Sequence, residues 1–331
     1  MRRLTEAVLA RTETALVAAI LVTAVILSLS SPYFLTISNL VNLIEAYSVT
    51  TILAAGVFVV LVSGGIDISF AATASATQYL AAYLATHFGF SAVSALPLAA
   101  ALGVALGSIN ALLTFYLRVA SIIVTIATSS IYYALLIYFT DAQEIYNLPD
   151  WWSNRITFLR FSTASGVVRI TLPIVVMVAA VALTQYLMRW TRVGRQIYAL
   201  GGNPEAASRI GVGILRVQLL AYGYLGLLAA VAGFVQASRV HQAVPTAMAG
   251  QELNVLAVAI LGGASLVGGV GSMGGVVLAV VFLAMLQTGL NLVGVSPYFF
   301  GVVIGLAILV SISMTGFAEK HARRRHAVRS I

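Results

Sequence analysis

Long apolar runs, broken by short polar or glycine-rich segments, recur from one end of the chain to the other. A helix needs about 20 apolar residues to cross a bilayer, and on that measure the pattern predicts about ten spans. They are Thr14–Leu29, Leu43–Val62, Ile68–His87, Val93–Leu117, Ile122–Thr140, Leu172–Met188, Leu215–Val235, Leu253–Leu266, Gly275–Leu292 and Pro297–Met314. The first run is short and follows a basic segment, as a signal peptide does. The many spans behind it need an anchored start, so it reads as a membrane helix. The longest internal polar stretch, Met188–Leu215, carries Arg189, Arg192, Arg195, Asn203, Glu205 and Arg209 between two apolar runs, and it must lie in water.

Composition agrees with this pattern. Of 331 residues, 60% are hydrophobic and 8% charged, with a mean hydropathy of +1.01; soluble domains carry about 25% charged residues. The expected fold is an all-α polytopic membrane protein, with residues 1–331 forming a single transmembrane domain. The net charge of +8 does not form a nucleic-acid face, because the basic residues fall on short segments between apolar runs, where they set topology. A trace that starts inside leaves only Arg155, Arg160, Arg169 and Arg239 outside, so 14 of the 18 basic residues are internal. Both termini, the 189–214 loop and the basic 317–331 tail are then cytoplasmic, and the 141–170 loop is periplasmic. Cysteine is absent and the four histidines are scattered, so no metal site is expected.

Two junctions stand out. Ser63-Gly64-Gly65-Ile66-Asp67-Ile68-Ser69 links spans two and three. Either Asp67 caps the helix starting at Ile68, or Ser63, Gly64, Gly65, Asp67 and Ser69 line a translocation path as broken transporter helices do. The second junction, Gly262 to Gly275, contains Gly262, Gly263, Gly268, Gly269 and Gly271. Its GVGSMG segment matches a dinucleotide fingerprint formally, but the flanks are membrane helices, and close packing of spans eight and nine accounts for the glycines. One such junction in each half suggests an inverted repeat of spans two to five on spans seven to ten.

Glu45, Glu252 and Asn291 lie within or at the ends of spans, where a polar group is either a pathway residue or wetted at the interface. Tyr222, Tyr224 and Gln236 on span seven, like Asn291 on span nine, are candidates to face a polar pathway, and the sequence does not decide their orientation. Trp151 and Trp152 serve as an interfacial anchor or as a sugar-stacking platform. The chain has one lysine, Lys320, and no G-x-x-x-x-G-K-[ST] run, so it lacks a P-loop. If it moves a solute uphill, another polypeptide supplies the work; the alternative is a self-sufficient secondary transporter or channel.

The first junction, then Tyr198-Ala199-Leu200-Gly201-Gly202-Asn203 with Ala206-Ala207 and Gly211, then Glu252-Leu253 leading into Gly262-Gly263-Ala264-Ser265-Leu266 and Gly268-Gly269-Val270-Gly271, occur in one order. In these motifs the chain resembles the permease subunits of bacterial ABC importers for simple sugars, the ribose-type branch. It departs from that pattern at Phe70-Ala71 and Ala120-Ser121. The resemblance implies a multi-pass inner-membrane protein that forms the path for a monosaccharide or similar small polar solute. It also implies a second permease chain, a periplasmic sugar-binding protein, and cytoplasmic ATPase subunits that hold the ATP and Mg, with none bound by this chain. The matching docking residues are Gly194, Arg195, Gly201, Gly202, Asn203, Pro204, Ala206, Ala207 and Gly211. Local chemistry favours a short helix there, with Asn203 as N-cap, Pro204 as first residue and Gly211 or Gly213 as stop.

Overall fold

The computed structural model describes residues 2–153, 156–163 and 166–296, with isolated positions from 299 to 309. Most of the predicted tenth span and all of the 317–331 tail lie outside the described residues. The elements in order are α1 (Arg2–Ser30), α2 (Ile37–Ala46), α3 (Ser48–Val62), α4 (Phe70–His87), α5 (Ala92–Leu117), α6 (Ser121–Thr140) and α7 (Asp150–Ser153). There follow β1 (Thr157–Thr163), β2 (Gly166–Thr171), α8 (Leu172–Trp190), α9 (Arg192–Gly202), α10 (Pro204–Arg209), α11 (Ile214–Val240), α12 (Glu252–Leu261) and α13 (Met273–Leu292).

Six of these helices, α1, α5, α6, α8, α11 and α13, are long and apolar enough to cross a membrane. The chain is a polytopic helical membrane protein. The predicted second span is a broken one: α2 and α3 meet at Tyr47 with a bend of 48°. Helix α4 has the length of a span, but Thr73, Ser75, Thr77 and Gln78 lower its hydropathy, and all four are buried among other helices rather than facing lipid. The eighth predicted span, Leu253–Leu266, is shorter than expected. Its helix α12 stops at Leu261 after 10 residues, a rise of ~15 Å against a hydrocarbon core of ~30 Å.

Helix α11 is central and packs on α3, α4 and α5, while α1 lies on α13 and α8 lies on α3. The α5–α11 contact is close because small residues face each other. A Cβ on Gly103 would stand 2.3 Å from the Gly226 carbonyl oxygen, and one on Gly107 would stand 2.2 Å from that of Tyr222. In lipid no hydrophobic force drives such pairing, and backbone proximity supplies the packing energy instead.

Helices α3 and α12 end alike. After α3, Ser63 N–H bonds to Val59, Gly64 to Leu61 and Gly65 to Val60; after α12, Gly262 bonds to Val258, Gly263 to Ile260 and Ala264 to Ala259. The offsets match residue for residue, and the left-handed turn falls on Gly64 (φ +88) and Gly263 (φ +90), a conformation glycine adopts without steric cost.

At the other side of the bundle, Trp152 is 1% exposed. Its Nε1 donates to the Phe234 carbonyl at 3.1 Å, and its ring stacks between Trp151 and Phe234. This overturns both expectations for Trp152: it is neither an interfacial anchor nor a sugar platform but the core of the cap over α11. Reciprocal Ile145–Ala243 backbone bonds tie that cap to the loop after α11.

Candidate functional site

The break at Tyr47 opens a cavity of about 400 Å³, lined by Ala46, Tyr47, Thr50, Gln251, Asn254, Val258, Leu283, Gln287, Thr288 and Asn291. Three elements supply it: the α2–α3 bend, the start of α12 and the second half of α13. Apart from Thr288, its polar residues come as pairs one helical turn apart, Tyr47 with Thr50, Gln251 with Asn254, and Gln287 with Asn291, so each pair shares a helix face. The Tyr47 hydroxyl donates to Gln287 Oε1 across the cavity wall. No charged side chain is among the lining residues. Such a surface offers amide and hydroxyl donors and acceptors to a neutral polar solute.

Asn291 was singled out in the sequence, and the structure places it here. Tyr47, Thr50, Gln251, Asn254, Gln287 and Thr288 were missed. Their signal was the one-turn spacing of uncharged polar residues at three places in otherwise apolar runs. Glu252, the neighbour of Gln251, is not in the lining; it is half-buried and accepts from the Tyr133 hydroxyl at 3.4 Å.

The first junction lies at the far end of α3 from this cavity. Helix α4 begins at Phe70, two residues later than predicted, and Ser69 rather than Asp67 is its N-cap residue, without a side-chain capping bond. Asp67 instead braces the turn. Its Oδ1 accepts from Ser69 N at 2.7 Å and Ser69 Oγ at 2.8 Å, and its Oδ2 accepts from Asn110 Nδ2 at 3.2 Å. Ile66 N donates to Ser121 Oγ at 2.8 Å and Ile68 N to Thr125 Oγ1 at 3.3 Å. The loop's polar groups are thus taken up by α5 and α6. Gly65 is fixed by the Tyr222 hydroxyl, which a Cβ there would meet at 2.3 Å, and Tyr224 bonds Thr184 at 2.7 Å.

The polar 189–214 stretch folds as two short helices. Thr191 Oγ1 accepts from Gly194 N at 3.1 Å to start α9. Asn203 Oδ1 accepts from Ala206 N at 3.0 Å, Pro204 is the first residue of α10, and Gly211 carries the left-handed turn after it (φ +84). This is the cap arrangement the sequence predicts. Gly194, Ile197, Leu200, Gly201 and Ala207 face inward, and Arg192, Arg195, Gly202, Asn203, Pro204, Glu205, Ala206, Arg209 and Gly211 are exposed.

The inner end of α9 brings both glycine junctions together. A Cβ on Gly201 would lie 1.9 Å from the Val62 carbonyl oxygen and 2.5 Å from Gly269 N. One on Gly268 would meet Gly64 Cα at 2.6 Å, and one on Gly269 would meet Gly202 Cα at 2.5 Å. Gly269 N donates to the Val62 carbonyl at 2.8 Å. Tyr198 donates to the Gly271 carbonyl at 2.9 Å; burial pushes its hydroxyl up to about 12, so it remains a donor at neutral pH. Gly262 packs on the backbone of Gly275 and Val276, and Gly263 makes the turn that ends α12. Ser272 Oγ reaches Glu13 on α1 at 2.6 Å. The two glycine junctions and the inner end of the 189–214 stretch are in direct contact.

The sequence matches the family described as "Branched-chain amino acid transport system / permease component" over residues 39–312. It is 34% identical to the ribose import permease protein RbsC of Escherichia coli (strain K12), over 89% of this chain and 90% of that one. Identity to the Bacillus subtilis (strain 168) protein of the same name is 34%, over 87% and 88%. The galactose/methyl galactoside import permease protein MglC of Escherichia coli (strain K12) is 31% identical, over 92% and 94%. No solved structure matches the chain. The resemblance drawn from the three glycine-containing motifs is thereby borne out, and the chain belongs to this family of membrane permease components.

Proposed function

We propose that the chain carries a monosaccharide, or a neutral polar solute of similar size, through the cavity between Tyr47 and Asn291, as the membrane subunit of an ATP-driven importer. The observation that carries this reading is the lining itself: amides and hydroxyls on the broken α2–α3 pair, the short α12 and the continuous α13, without a charge. Its volume falls within the range of about 300–1,000 Å³ usual for small-molecule sites. The names of the sugar import permeases similar to this chain support the same solute class.

In this reading a cytoplasmic ATPase subunit, holding ATP and Mg, seats on the exposed faces of α9 and α10. A second permease chain completes the path, and a periplasmic binding protein delivers the solute. Ten spans with both termini cytoplasmic accommodate the described helices. The repeat of spans two to five on spans seven to ten stays a proposal; the matched ends of α3 and α12 belong to two spans that run the same way in this trace, so they support a shared junction design rather than an inverted pairing. Alternating access then works by moving the two half-helices that frame the cavity relative to α13.

The test is solute uptake into proteoliposomes holding the permease with its ATPase and binding protein. Gln287→Leu and Asn291→Leu together are expected to lower uptake at least tenfold while the ATPase still co-purifies. Unchanged uptake would overturn the assignment of this cavity, and flux through the chain alone under an ion gradient would overturn the ATP-driven reading.

A further inference from the structure

We infer that the Ser265–Gly269 turn is a second docking element for the ATPase subunit, forming one continuous surface with Gly202 and α10. This rests on the reading that α9 and α10 receive that subunit, and it adds a contact from the other half of the chain.

The turn is rigid and its tip is apolar. Ser265 N bonds to Val270 O at 3.0 Å, Gly268 N to Ser265 O at 3.2 Å, and Val267 N to Ser265 Oγ at 3.2 Å. At that tip Val267 is 85% exposed and Leu266 47% exposed. The base of the turn is seated on the end of α9: Gly269 rests against the Gly202 backbone and Gly268 against Gly64 and Gly201. The outward side of Gly202 is open, with nothing within 4 Å of a Cβ built there. The next residues, Asn203 to Ala206, are exposed, and Ile210 beyond α10 is 76% exposed.

Val267 therefore stands beside the polar docking helices rather than within one of the apolar helix faces. An exposed apolar side chain held by a hydrogen-bonded turn is stabilised when a partner covers it, with little ordering cost. The partner that reaches Gly202 and α10 meets this tip in the same approach, which identifies the occupant by continuity of surface. Arg195 on α9 and Arg209 on α10 are exposed and fit a partner patch with acidic groups.

The test uses the whole transporter, with the ATPase co-purified on a tagged permease. Val267→Asp and Val267→Trp are each expected to reduce recovered ATPase at least tenfold at normal permease yield. Val267 packs on little else in the chain, so folding is not at stake. If Val267→Trp retains the ATPase and only Val267→Asp loses it, the tip lies in the lipid interface, which favours Trp, and the proposal fails. If both retain it, the proposal also fails. A Val267→Cys chain, otherwise free of cysteine, that crosslinks to its own copy assigns the tip to the second permease instead. Gly202→Trp is run in parallel. If it alone displaces the ATPase, only the turn's role is lost; if none of the variants does, the docking reading of α9 and α10 falls as well.

Discussion

Gly269 donates its backbone N–H to the carbonyl of Val62 at 2.8 Å, tying the second helix junction to the first. The bond forms because glycines on both sides leave room for main chain against main chain, with Gly201 of α9 wedged at the same point. A side chain on any of them would have to displace backbone, which packed interiors resist.

Gly201→Ala is therefore expected to be far more harmful than Gly202→Ala. The former puts a methyl 1.9 Å from the Val62 oxygen, whereas the latter meets open space. Overpacking of this kind costs ~1–3 kcal/mol or more. Thermal unfolding of the purified permease should drop by several degrees for Gly201→Ala and stay near the parent value for Gly202→Ala.

Asp67 is predicted to be a structural brace. Asp67→Ala leaves Ser69 N–H and Ser69 Oγ without their acceptor and Asn110 Nδ2 with only Ser69 Oγ, and each such bond contributes about 0.5–1.5 kcal/mol. The variant should show a clear loss of thermal stability, with uptake per folded molecule close to normal. Lost uptake at unchanged stability would instead place Asp67 in the path.

Tyr47→Phe removes the donor to Gln287 without changing the shape of the ring. Stability should fall by only ~1 kcal/mol, because the freed amide faces the cavity. Uptake assays over a range of solute concentrations should reveal a weakened apparent affinity, severalfold, at similar maximal rate. An unaltered concentration dependence would remove Tyr47 from the solute's surroundings.

Asn203→Ala takes away the side-chain cap of α10, an effect of ~1 kcal/mol on helix formation. Because α10 is only 6 residues long, that is enough to fray it. Hydrogen exchange across residues 203–209 should accelerate several-fold, and recovery of the ATPase on the permease should fall in step.

Much of this fold was legible in the residues. The α10 cap could be read from Asn203-Pro204 because capping is local chemistry, and the long apolar runs fixed α5, α6, α11 and α13 to within a few residues. The break at Tyr47 was not legible, since the polar residues Glu45, Ser48, Thr50 and Thr51 cluster there without a Pro or Gly to mark a bend. The short α12 was masked as well: Ala264, Leu266 and Val267 extend the apolar run although Gly262 and Gly263 have already ended the helix. Trp152 was misread because its partner, the Phe234 carbonyl, lies in another span, and such pairings depend on tertiary packing. Likewise, Gln287, Asn254 and Thr50 converge only after three elements have packed.

The Ser63–Gly64 end of α3 and the Gly268–Gly269 turn that follows α12 bear on one support, the Gly201–Gly202 end of α9. Two arms hung from one fulcrum cannot be driven separately. A displacement at α9 therefore meets the inner end of the Tyr47 arm directly and the Gln251 arm only through the Gly268–Gly269 turn, so that turn is the linkage by which one push is shared between the two walls of the cavity.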